Sequence, residues 1–263
     1  MMKTRFYRFI TIAFLSFWLI SCASKAESES VTPAVSNALI GETVTKCDAL
    51  FKERSDLAKL REAVKSLASV RNADARNYEV EWKFAKFNYF LGKRTTDAKE
   101  KEEAFVDGVQ AGRIASRLEP NKPDGFFWYG ANLGEQAKLS PVTVGVKSID
   151  DIKKAMNRVI EIEPGYQSAS AYDALAQIEL NTAGLMGGKP ERAVEHLEKA
   201  LTIDKENTYV YLHLAEAYLA VGKKDEAKKQ LDYLLKMKAN PDYLPEYNET
   251  LEKAKKLLET KFS

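Results

Sequence analysis

Residues 211–231 read YLHLAEAYLAVGKKDEAKKQL, and their spacing decides the fold. Tyr211, Leu214, Ala215 and Tyr218 recur at three and four, Gly222 breaks the run, and Ala227, Leu231 and Leu234 begin a second run of the same period. Apolar residues at that spacing fall on one face of an α-helix. Two such faces joined at a glycine make a helical hairpin. A bulky ring on the first helix meets a small residue on the second, which lets the two axes approach.

The same order recurs upstream. Trp82-x2-Ala85-x3-Tyr89-x2-Gly92 echoes the first helix, and weaker copies begin at Trp128 and Tyr172. Second helices carry the rows Ala63/Leu67/Val70, Gly108/Gly112/Ala115, Ile152/Met156/Val159 and Ala193/Leu197/Ala200. All eight prolines fit connections or first turns, where the missing N–H does no harm. Ser148-x-x-Asp151 reads as a capping box at a helix start. No run of alternating β-branched residues is present, so the chain is predicted to be all-α. A bulky ring, a small residue opposite and a terminating proline form the tetratricopeptide pattern. With a degenerate first helix near 47–54, the chain reads as a tetratricopeptide-like solenoid of about five hairpins. A capping helix at 245–262 closes it with a polar outer face. Trp82 and Trp128 are both placed at the bulky position.

The N-terminus is an address. Lys3, Arg5 and Arg8 precede the apolar run 9–20, too short to span a bilayer of ~30 Å. Leu19-Ile20-Ser21-Cys22 resembles the bacterial lipobox, in which Cys22 would carry lipid. Expected divisions are a signal peptide at 1–21, a flexible Ser/Ala/Glu tether at 22–42 and a helical domain at 43–263. The expected location is the periplasmic face of the cell envelope. Outer membrane is preferred over inner because Ala23 and Ser24 replace the retention Asp of enteric bacteria. Cys47 then reads as a buried free thiol.

Of 263 residues, 40 are basic and 38 acidic; without 1–21 the balance is 37 to 38. A near-neutral chain gives no reason to expect nucleic acid as a partner. His196 and His213 lack ligand-spaced neighbours, so no metal is predicted. No phosphate loop, nucleophile elbow or Cys–His pair appears, and neither catalysis nor a cofactor is expected. The charged runs 99–103 and 223–238 read as solvated faces.

Phe126-Phe127-Trp128-Tyr129 places four rings around one helix. Either all four pack inward or some line a cleft. Phe126, Trp128, Tyr129 and Asn132 are the candidate ligand- or partner-binding residues, with Tyr129 and Asn132 one turn apart. Gly108, Gly112, Gly130 and Gly134 mark either close backbone contact or space for a ligand.

Three strings carry a family resemblance: GVQAGRIASRLEPNKPDGFFWYGANLG (108–134), GLMGGKPERAVEHLEKAL (184–201) and residues 211–231. Over about 49–262 the chain resembles the T-component of TRAP transporters, a periplasmic lipoprotein built from tetratricopeptide-like hairpins. The stretch 140–146 departs from that pattern. The resemblance implies a trimeric assembly and docking of a TRAP-type solute-binding protein. It also implies a small organic-acid or hydrophobic ligand in a cleft. A scaffold lipoprotein of outer-membrane or pilus assembly fits the general features equally.

Overall fold

The computed structural model describes residues 36–184 and 186–262. Residues 1–35, and with them the signal peptide, Cys22 and most of the tether, lie outside the described residues. Among the described residues eleven α-helices follow one another: α1 (Asn37–Lys52), α2 (Leu57–Val70), α3 (Tyr78–Arg94), α4 (Ala98–Leu118), α5 (Pro123–Leu139), α6 (Val146–Ile162), α7 (Tyr166–Asn181), α8 (Pro190–Ile203), α9 (Thr208–Ala220), α10 (Lys224–Leu234) and α11 (Leu244–Lys261). They form five antiparallel hairpins and a closing helix, as the periodicity predicts, with no strand among the described residues. The tether boundary moves. Ser36 Oγ accepts from Leu39 N at 3.2 Å, so residues 37–42 are helical rather than loose.

Local sequence explains most of the helix starts. Asp56, Asn77, Asp97 and Asn207 each accept a backbone N–H of the first turn through their side chains. Pro123 and Pro190 occupy first turns, where an N–H would be orphaned anyway. The capping box is corrected. Ser148 is buried inside α6, which a single π-helical stretch, Pro141–Gly145, feeds directly. Backbone connectivity there leaves no cap to make. Another feature without a sequence signal is the left-handed backbone of Gln167, Ser168 and Ala169 at the head of α7. Asn207 steadies it, donating to Ser168 O at 2.9 Å and Ser170 Oγ at 3.1 Å.

Each helix packs on its neighbours in sequence. Odd-numbered helices also touch one another, whereas even-numbered helices touch no other even-numbered one closely. The odd helices therefore form an inner layer and the even ones an outer layer. One apolar core runs from α1 to α7 and a second from α7 to α11.

The register of α3 differs from the expected one. Trp82 is only half-buried, while Glu81 is sealed at 1% exposure together with Phe84, Ala85 and Asn88. Arg71 meets its carboxylate at 2.8 Å and Arg76 at 2.8 Å, which compensates the charge. A paired acid thus fills the place assigned to a ring.

The glycines of α4 are contact glycines. A Cβ on Gly112 would lie 2.5 Å from Tyr129 N, and one on Gly108 would lie 2.1 Å from Asn132 Oδ1. Around Gly134 nothing lies within 4 Å. Gly112→Ala is therefore expected to destabilise by about 1–3 kcal/mol, because backbone must give way. Gly134→Ala should instead gain up to ~1 kcal/mol of helix propensity. Paired thermal melts check the opposite signs; a gain at both sites would mean that α4 and α5 are not in close contact.

The two ends of the row meet. Arg54, just after α1, holds Glu246 of α11 through Nε at 3.0 Å and Nη2 at 2.7 Å, and donates to Asp242 O. Arg94, at the end of α3, reaches the same carboxylate at 2.5 Å. Residues 192 apart in sequence thus clasp the first hairpins to the last helix.

Candidate docking groove

Within this frame the four predicted site residues separate. Asn132 is fully buried: its amide donates to Ala85 O at 3.0 Å and Trp128 O at 2.7 Å, binding α3 to α5. Its role is structural and it lines no cleft. Tyr129 backs onto Gly112, and its hydroxyl lies between Arg113 of α4 at 3.3 Å and Asp151 of α6 at 3.5 Å. Those are outer-layer helices, so Tyr129 faces away from the inner layer. The cleft predicted between Tyr129 and Asn132 is corrected on both counts. Residues three apart on a helix share a face, but here that face is the one turned to α4. Trp128 is 2% exposed and packs on Tyr89, Phe90 and Phe127 at ring distances of 5.6, 5.9 and 4.9 Å. Phe126 is half-buried against the core.

The inner surface is built from other residues. Along α3, Trp82, Lys86, Tyr89 and Lys93 recur at four, three and four. The first three are half-buried and Lys93 is exposed, whereas Phe84, Ala85, Phe87 and Asn88 between them are buried. Phe51 of α1 stacks on Phe87 at 4.5 Å and meets Phe90 at 5.1 Å, which extends the aromatic surface across α1, α3 and α5. Lys93 Nζ lies 3.4 Å from Glu135 of α5. Partial desolvation of this ammonium by the surrounding helices lowers its pKa, as does the positive charge of Lys138 and of Lys253 on α11, against the pull of Glu135. Tyr89 is raised by burial first, then by Glu135, Tyr209 and Asp173. Charged and phenolic groups of α5, α7, α9 and α11 therefore act on the Tyr89–Lys93 end of this stripe.

Farther along the inner layer, His213 Nδ1 of α9 lies 2.6 Å from Asp173 Oδ1 of α7. Burial opposes a charged imidazole, but the carboxylate outweighs it and the His213 pKa is raised. Tyr209 joins α9 to α11 by donating to Glu249 at 3.1 Å. At one rim the phenols of Tyr78 and Tyr166 both donate to Asp124, each at 2.7 Å, tying the heads of α3, α5 and α7 together. The arrangement is an inner-layer surface of rings and mixed charge. Among the described residues no group of three or more His, Cys, Asp or Glu could hold a metal ion. Nor is any helix there long and apolar enough to cross a membrane.

Sequence reasoning misses Trp82, Lys86, Tyr89 and Lys93 as a surface because the repeat spacing assigns Trp82 to the core. The usable signal is the basic residues at the same spacing, which an apolar stripe would not carry.

A family model described as RMD1-3, Regulator of microtubule dynamics protein 1-3, matches residues 43–262. None of the curated proteins compared with the sequence matches it. Among solved structures, a thermophilic tetratricopeptide protein of Thermus thermophilus, TTC0263, superposes with a TM-score of 0.59 at 15% identity. That match covers 80% of this chain and 98% of the other. MamA gives a TM-score of 0.48 at 19% identity, over 83% of this chain and 96% of its own.

Proposed function

We propose that this chain, which belongs to the regulator of microtubule dynamics protein 1-3 family, is a docking protein that holds a partner protein against its inner layer. The observation that carries the reading is the stripe Trp82, Lys86, Tyr89, Lys93, where aromatic and basic side chains stay accessible although the core beneath them is complete. Accessible rings are enriched at contact surfaces, and charged residues belong to the polar rims of such surfaces.

The finer reading is an envelope lipoprotein anchored through Cys22, preferably in the outer membrane, with the helical domain in the periplasm. Its partner would be the solute-binding protein of a TRAP-type transporter, and the groove would pass on a small organic-acid or hydrophobic ligand. The strings at 108–134 and 184–201 support that partner. The alternative, a scaffold of outer-membrane or pilus assembly, is supported by the tetratricopeptide fold itself.

A photo-crosslinking residue at Trp82, compared with one at the exposed outer position Val106, tests the docking surface in intact cells. Adducts are expected from Trp82 only. A solute-binding protein in the adduct supports the transporter reading, and assembly machinery supports the scaffold. Equal labelling from both positions would remove the groove as the docking site. Cys22→Ser is expected to release the protein from the membrane fraction; unchanged fractionation would sink the anchor.

A further inference from the structure

Lys86 differs from its neighbouring cations on α3 and just after α1. Lys83 reaches Asp48 at 2.6 Å, Arg54 and Arg94 share Glu246, and Lys93 has Glu135. No carboxylate among the described residues pairs with Lys86. Its ammonium instead faces the Phe51 ring at 4.6 Å and the Trp128 ring at 5.8 Å. Burial holds the Lys86 pKa down to about 8, with Lys83 and Arg54 adding to the shift. A cation in such a wall, bordered by other cations and by rings, presents an unsatisfied site for an anion.

The length of the surface bears on what that anion belongs to. From Trp82 to Lys93 the stripe spans eleven residues of helix, ~16 Å at ~1.5 Å per residue. That matches about five residues of extended chain at ~3.3 Å each, and exceeds a single small acid. We propose that the groove recognises a segment of its partner protein by an Asp or Glu side chain set against Lys86, with an adjoining apolar side chain lying on Phe51 and Trp82. This rests on the docking reading above and names the chemistry it selects. Lys86 supplies specificity for the acid, and the rings supply contact area.

Selection of random dodecapeptides on the full chain tests the assignment, with Lys86→Met and Lys86→Arg beside the native protein. Native selections should be enriched in Asp or Glu next to an aromatic or aliphatic residue. Changing that acid to its amide in the best peptide should weaken binding about tenfold. Lys86→Met should lose the acid preference, and Lys86→Arg should keep it. Enrichment without an acid, or the same acid preference in Lys86→Met, overturns the role of Lys86 while leaving docking intact. If Lys86→Met proves unfolded by circular dichroism, the acid-to-amide comparison on the native chain still decides. Binding of phenylacetate with no peptide selected would overturn the peptide occupant in favour of a small carboxylate. Selection of nothing, together with equal crosslinking from Trp82 and Val106, removes the docking reading itself.

Discussion

Glu246→Ala is expected to lower stability by about 3 kcal/mol, with hydrogen-exchange protection lost first in α11 and α1. Its carboxylate holds two guanidiniums, and the Arg54 side chain is only 6% exposed. Breaking a buried pair strands the remaining charge, at ~3–5 kcal/mol. The lower end applies here because Arg54 keeps the carbonyls of Phe51 and Asp242, and Arg94 lies 3.8 Å from Glu249. Burial works against the Glu246 carboxylate, but Arg54 and Arg94 outweigh it and hold its pKa below the ordinary range. A depressed carboxyl contributes its full stability above the unfolded value of ~4.3 and loses it as pH falls towards and through the folded value. The variant should therefore lose part of the acid-sensitive limb expected below about pH 4.3 in the native protein. Urea melts across pH check both points. An unchanged midpoint would show that the ends of the solenoid are not clasped.

Glu81→Ala is expected to cost about 3–5 kcal/mol, a fall in Tm of the order of 10 °C for a domain of this size. At 1% exposure the carboxylate cannot be replaced by water, and two arginines lose their acceptor. Arg71 also lies 4.2 Å over the Phe84 ring, so its release disturbs the packing beneath. The residue sits in the first turn of α3, where a negative charge favours the helix. Trp82→Ala, one position along, should change stability far less because it removes a half-buried ring from the groove wall. Equal losses at the two positions would restore Trp82 to the core.

Much of the architecture was legible because its signals are local. The three-and-four spacing of Tyr211 to Leu234, the prolines and the capping residues each act within a turn or two of chain. They determine where helices begin, end and pair. The glycine string at 108–134 was also legible as a feature, although its meaning needed the contact of Gly112 with Tyr129 to become clear. The site was much less legible. Tyr129, Asn132 and Trp128 are conspicuous in sequence, yet the inner surface belongs to Trp82, Lys86, Tyr89 and Lys93 of the preceding odd helix.

By itself, then, the sequence determined helices, hairpin order and a polar final helix, since hydrogen bonding and side-chain periodicity along one helix involve near neighbours only. Tertiary structure alone decided which face of each helix turns inward, that a glutamate stands where a ring was expected, and that Glu246 returns to Arg54. Those outcomes depend on groups brought together from distant parts of the chain. An amphipathic stripe reports that a helix has a buried side, but a ring or a paired charge on the stripe's edge falls in or out according to the partner it meets.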